Sequence, residues 1–113
     1  MIDSKTNPQE REALAALMLS ALGGESRLRI YRLLVRAGEG GLSVGVIQDQ
    51  LGIAASTLSH HIAALKMAGL IVQRRDGRTI FNTANYENMN ALLAYLTEEC
   101  CADQQQETPN DNG

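Results

Sequence analysis

The sequence predicts a mainly α-helical domain of about five helices, with one two-stranded β-hairpin set between the fourth and the fifth. Three observations predict it. Apolar residues recur at three- and four-residue spacing in five separate stretches. Glycines punctuate those stretches at 23–24, 38–41, 52 and 69. Between two short extended runs stands Asp76-Gly77, the strongest local signal for a hairpin, because both central residues of a type I′ turn need positive φ.

The chain of 113 residues is sized for one domain with a modest single core. Residues 1–6 read as a flexible start, 7–101 as the folded domain and 102–113 as a disordered polar tail with no large apolar residue. Asn7-Pro8 resembles an N-cap with proline at the first helical position, and Glu10 stands at the capping-box position. Leu14, Leu17, Met18, Ala21 and Leu22 then mark one face, until Gly23-Gly24 stops the helix. A second helix spans about Glu25 to Ala37, with Ile30, Leu33 and Leu34 inward and Arg29, Arg32 and Arg36 on another face. After the flexible Gly38–Gly41 link, Ser43 caps a short helix that turns Val46, Ile47 and Leu51 to the core. Gly52 ends it. From about Ala55 the next helix buries Leu58, Ile62 and Leu65 and leaves Ser56, Thr57, Ser59, His60 and Lys66 off that stripe, before Gly69 stops it. Leu70–Arg75 and Arg78–Thr83 are the extended runs. A last helix from about Tyr86 to Cys101 aligns Met89, Leu92, Leu93, Leu96 and Cys100.

Composition excludes several classes. Aromatic residues make up 4% of the chain and tryptophan is absent, so stacking platforms for single-stranded nucleic acid are not expected. No apolar run approaches the roughly 20 residues that span a bilayer, and the polar start lacks the apolar stretch of a secretion signal. No membrane partner and a cytoplasmic location are expected. The net charge of −3 hides a partition. Residues 25–83 hold eight basic and four acidic side chains, whereas residues 84–113 hold six acidic and no basic ones. A basic centre beside an acidic end points to a nucleic-acid face on one part of the domain. Enzymatic function fares badly, because the two histidines are adjacent and no separate base stands by to activate a nucleophile. The glycines at 38–41 also lack the lysine and spacing of a phosphate loop.

A helix followed by a basic hairpin suits duplex DNA. In helix-turn-helix proteins the second helix of the motif enters the major groove and its N-terminal residues reach the base edges. Here those residues are Ser56, Thr57, Ser59 and His60, all short or hydrogen-bonding. Arg74, Arg75 and Arg78 at the hairpin tip would meet phosphate or the adjacent minor groove. His61, next to the apolar stripe, reads as a structural histidine. A protein-interaction module is the competing class, and it would lack the steep salt dependence of phosphate contacts.

These segments carry a resemblance. LSVGVIQDQLG followed by STLSHHIAALKMAGLIVQRRDGR looks like the ArsR/SmtB family of winged-helix transcriptional repressors, and the likeness covers about residues 10 to 100. It implies a winged helix-turn-helix that forms a homodimer through its first and last helices, binds a palindromic operator, and releases it when an inducer binds. Leu14, Leu17, Met18, Leu92, Leu93 and Leu96 would form the dimer interface, since both terminal helices carry apolar stripes wider than a small core requires.

The family places soft-metal ligands at several positions. A Cys-Val-Cys site in the first helix of the motif is replaced here by Ser43, Val44 and Gly45, and no histidine follows His61 to build a site on the last helix. Thr97-Glu98-Glu99-Cys100-Cys101 is similar to the cysteine pair of an arsenic-responsive subgroup, several of which add a third cysteine that this chain lacks. The candidate ligands are therefore Cys100 and Cys101, with no constitutive cofactor. The implied inducer is a trivalent arsenical, methylarsenite or arsenite, with antimonite a further candidate. Two sulfurs favour methylarsenite, whose third valence is already held by carbon. Neighbouring residues on a helix are about 100° apart, so the helix must fray or end for both sulfurs to hold one atom. The alternatives are a thiol-based redox or reactive-sulfur switch, another thiophilic metal, and a pair that merely packs. Reactive sensor thiols usually sit beside positive charge, and Glu98 and Glu99 beside this pair argue against fast peroxide sensing.

Overall fold

A computed structural model of the chain describes Ile2 and residues 5–106. Its elements are α1 (Pro8–Leu22), α2 (Glu25–Ala37), β1 (Leu42–Ser43), α3 (Val44–Leu51), α4 (Ala55–Met67), β2 (Ile71–Asp76), β3 (Thr79–Ala84) and α5 (Tyr86–Thr97). Gly38–Gly40 forms a 3-10 turn between α2 and β1. The fold class is the expected one: five helices and a hairpin, the architecture of a winged helix-turn-helix. Of the segments expected to be loose, residues 1, 3, 4 and 107–113 lie outside the described residues. Ile2 is buried, and Ala102–Gln106 forms a short 3-10 helix.

Local chemistry sets the helix boundaries. Asn7 Oδ1 accepts the Gln9 N–H at 2.7 Å, and Ser43 Oγ accepts the Val46 N–H at 3.3 Å. Asn85 Oδ1 accepts the Asn88 N–H at 3.0 Å, so α1, α3 and α5 each start on a capping side chain. The end of α4 is a Schellman motif. Gly69 has φ +78°, its N–H donates to the Lys66 carbonyl, and the Leu70 N–H donates to the Leu65 carbonyl, both at 2.9 Å. Leu65 and Leu70, which such a motif brings together, are both fully buried.

The core lies where α1, α2, α3 and α4 meet the sheet, with Met18, Ile30, Leu34, Ile47, Leu58 and Leu65 wholly inaccessible. Burying side chains of this size stabilises the fold by roughly 1.5–3 kcal/mol each. Leu92 joins them from α5.

Three features depart from the sequence expectation. The sheet has three strands in the order β1-β3-β2, all antiparallel, because the two residues Leu42 and Ser43 add an edge to the hairpin. Buried Asn82 holds both edges: its Nδ2 donates to the Leu42 carbonyl at 3.1 Å, and its Oδ1 accepts from Gln73 Nε2 at 2.8 Å. The hairpin turn is displaced by one residue. Asp76 pairs with Thr79, so the two central residues are Gly77 and Arg78. Only Gly77 has positive φ, at +66°, which is the requirement of a type II′ turn rather than the expected type I′. Finally, α5 ends at Thr97, four residues before the expected Cys101.

Gly41 is closely packed against the sheet. It has φ +74°, and a Cβ there would stand 2.6 Å from the Asn82 carbonyl oxygen and 2.9 Å from Thr83 Oγ1. Gly41→Ala combines an unfavourable left-handed conformation with a backbone clash, and should cost about 2 kcal/mol or more. The change is read from the urea midpoint of the variant.

Candidate functional site

The turn between α3 and α4 consists of Gly52, Ile53 and Ala54. Gly52 adopts the left-handed conformation, and its N–H closes on the Gln48 carbonyl at 2.8 Å. Ala54 precedes α4 without a capping side chain. The first-turn N–H groups of α4 are thus left for solvent or for an anionic oxygen such as a phosphate. Leu58, Ile62 and Leu65 anchor one side of the helix, and Ser56, Thr57, Ser59 and His60 are all exposed on the rest. The candidate base-reading residues therefore share one accessible surface.

The three hairpin arginines are not equivalent. Arg74 is held by its own protein: it lies 5.1 Å from the centre of the Phe81 ring and donates to the Gly40 carbonyl at 3.3 Å. It also stands 3.9 Å from Asp76. Arg75 and Arg78 are exposed near the tip. Strand alternation puts Arg75 on the opposite face from Arg74. All three arginines are exposed, Arg74 by 54%, and Arg74 also stiffens the hairpin.

His61 behaves as the sequence suggests. Its Nδ1 accepts from Arg27 Nε of α2 at 3.1 Å, tying α4 to α2. Burial, then the charge of Arg27, then His60 lower its pKa below the ordinary imidazole value. The neutral ring is favoured in the folded state, so this contribution to stability is full above about pH 6.5 and is lost as pH falls through that value. Unfolding midpoints measured from about pH 7.5 to about pH 5.5 should fall less steeply in His61→Gln than in the parent.

Of the six apolar residues expected at a subunit interface, the structure divides the set. Met18 and Leu92 belong to the chain's own core, at 0% and 1% exposure; the helical stripe runs through both surfaces, and these two lie on its inner edge. Leu14 is half-buried. Leu17, Leu93 and Leu96 are exposed by 45%, 54% and 50%, on two helices that pack against each other.

The thiol pair lies beyond α5. Thr97 Oγ1 turns back to the Leu93 carbonyl at 3.1 Å, and the helix stops. Glu99 and Cys101 both take φ +65°, and the chain curls so that Cys100 Sγ and Cys101 Sγ are 3.3 Å apart. Both are free and exposed, so Cys100 does not continue the buried stripe of α5. Sequence reasoning set the condition that the helix end before the pair, and the backbone meets it. It did not find the neighbouring contact. Arg11 of α1 donates to Glu98 from Nη2 at 2.8 Å and from Nη1 at 3.1 Å, and its guanidinium lies 5.0 Å from the centre of the Tyr95 ring. The hydrogen bonds from Arg11 hold the Glu98 carboxyl below its ordinary pKa. At its other end α5 is fixed to the exit of α4, where Asn88 Nδ2 donates to the Gly69 carbonyl at 2.7 Å.

An α3-turn-α4 unit with an exposed polar helix and a basic β-wing is the arrangement of a DNA-binding transcriptional regulator. Residues 22–74 match a family model described as a helix-turn-helix domain. The transcriptional activator HlyU of Vibrio cholerae is 34% identical over 98 residues, covering 84% of this chain and 88% of that protein. The structure of reduced HlyU from the same organism superposes with a TM-score of 0.61 at 30% identity, covering 82% and 95% of the two chains. An ArsR-like transcriptional regulator from Rhodococcus superposes with a TM-score of 0.73 at 25% identity, covering 86% and 88%. ArsR of Halobacterium salinarum, whose name assigns it to repression of an arsenical resistance operon, is 41% identical over 61 residues, 54% of this chain and 46% of that protein. The chain belongs to the ArsR/SmtB family of winged-helix transcriptional regulators and is not an enzyme. No helix among the described residues is long and apolar enough to cross a membrane.

Proposed function

We propose that this chain is a dimeric repressor that binds operator DNA without inducer and dissociates when a trivalent arsenical joins Cys100 to Cys101. The observation that carries the proposal is the 3.3 Å separation of two exposed sulfurs on a segment released from helical geometry. Methylarsenite exchanges its two hydroxyls for the two sulfurs; each departing hydroxyl takes one thiol proton, and two waters leave. The two cysteines of the sequence satisfy that exchange within one chain. Arsenite would need a third ligand, and antimonite has the same requirement.

Ser56, Thr57, Ser59 and His60 would read base edges, with Arg75 and Arg78 on phosphate or the minor groove. Replacing Arg75 or Arg78 should weaken binding to all sequences and reduce the salt slope by about one each, whereas Ser59 or His60 variants should change base preference. Equal loss in both sets would contradict the division of roles. Operator titrations in a series of salt concentrations measure both.

A thiol-oxidation or reactive-sulfur switch is the second reading. It draws on the same closeness of the sulfurs and on the relative HlyU, whose structure is described in a reduced form. Release of operator by arsenite, methylarsenite, antimonite, zinc and peroxide, titrated side by side, separates the two. Release by methylarsenite at stoichiometric concentration supports the arsenical reading; release by peroxide alone supports the other.

A further inference from the structure

Resting on the arsenical reading above, we infer that Arg11 and Glu98 form the link through which occupancy of the cysteine pair reaches α1. The pair stands just beyond Glu98, and Glu98 is joined to Arg11 of α1, 87 residues earlier in the chain. The contact is bidentate, at 2.8 and 3.1 Å, and a guanidinium fork set against a carboxylate fixes direction as well as distance. The same guanidinium lies against Tyr95, the residue whose carbonyl accepts the Glu98 N–H at 3.2 Å as α5 ends. Arg11 therefore touches α5 on both sides of its terminus. It also lies one helical turn before Leu14 and under two turns before Leu17 on the same helix.

Glu99 and Cys101 are held in a conformation that residues other than glycine rarely adopt. Closing a ring through both sulfurs changes the torsions available to residues 100 and 101. Glu98 lies two residues before Cys100, so part of that change reaches it. A carboxylate gripped at two oxygens passes the displacement to Arg11, and thence to the first turns of α1. A side chain that merely stabilised the fold would alter folding and operator affinity together; a link alters the response to inducer while leaving the uninduced state intact.

The test uses the full chain and methylarsenite. Glu98→Gln, Arg11→Ala and the exchanged pair Arg11→Glu with Glu98→Arg are compared with the parent and with a Cys100→Ser, Cys101→Ser control. For each, arsenical binding is followed by loss of free thiols, and operator affinity is measured without and with saturating methylarsenite. In the parent the ratio of the two affinities is expected within the roughly 5–150-fold range of coupled sites. Each single variant should bind one methylarsenite per chain, keep the parent's affinity without inducer, and bring the ratio to within about twofold of unity. The exchanged pair should recover at least part of the ratio. Parent-like ratios in both single variants overturn the link. Loss of arsenical binding in them overturns it too, because the contact would then be shaping the thiol pair rather than relaying from it. Release in the double-serine control overturns the sensor reading itself. Should Arg11→Ala fail to fold, Glu98→Gln, at a side chain 43% exposed, carries the same test.

Discussion

Replacing either Cys100 or Cys101 by serine should abolish operator release by methylarsenite while leaving operator affinity within about twofold of the parent. Both parts follow from position. The pair is exposed and lies after α5, so neither sulfur contributes to the core, and α4 and the wing keep their supports. A serine hydroxyl is a hard oxygen ligand that does not replace a thiolate on a soft metalloid, and one remaining sulfur cannot form the chelate. Fluorescence anisotropy of a labelled operator, with methylarsenite added to saturation, measures the loss directly. Release that persists in the double-serine protein would remove the pair from the mechanism. Release by peroxide that disappears in the same variant, with none by methylarsenite in the parent, would reassign it to oxidation.

The reach of each interaction along the chain explains which parts of this protein are legible in its sequence. Helices with a capping residue and a buried stripe were readable because both signals are local: Asn7-Pro8 starts α1 and Ser43 starts α3 as their side-chain chemistry requires. The expectation that His61 is structural rested on its place beside Ile62, and its bond to Arg27 agrees. What escaped was set by tertiary partners. Leu42 and Ser43 are a strand only because Asn82 and Phe81 stand opposite them. The hairpin turn moved by one residue because the register pairs Asp76 with Thr79 and so leaves Gly77 at the first central position, where a type II′ turn wants glycine.

The end of α5 shows the same limit. Thr97, Glu98 and Glu99 are not strong helix stoppers, and the apolar spacing continues to Cys100. The helix nonetheless stops where Arg11 holds Glu98. A residue 87 positions away cannot be found by any window along the chain. That contact also revises the electrostatic argument about the cysteines: one of the two flanking carboxylates is already paired with a cation, and the helix dipole ends at Thr97 rather than at the thiols. The objection to the redox reading is accordingly weaker than the sequence suggests, which is why the side-by-side titration includes peroxide.

The second large effect concerns assembly. Leu93→Asp combined with Leu96→Asp should convert the protein to a monomer and reduce operator affinity by about a hundredfold or more, the range lost when a bivalent contact becomes monovalent. Both side chains are half exposed on the protomer, as is Leu17 on the neighbouring α1, and a lone chain leaves all three apolar groups in water. Two-fold pairing through these groups would place two recognition helices on successive major grooves, as a palindromic site requires. The substitutions should spare the fold, because the inward residues of the same helices, Met18 and Leu92, are untouched and already buried within the protomer. Sedimentation velocity gives the mass, thermal unfolding the fold, and operator titration the affinity. A variant that remains dimeric would move the interface to another exposed apolar site, of which Leu28 and Val35 on α2 are the first to examine. A variant that becomes monomeric yet binds the operator as the parent does would mean that each subunit reads DNA alone, and the dimer would then serve only the sensor.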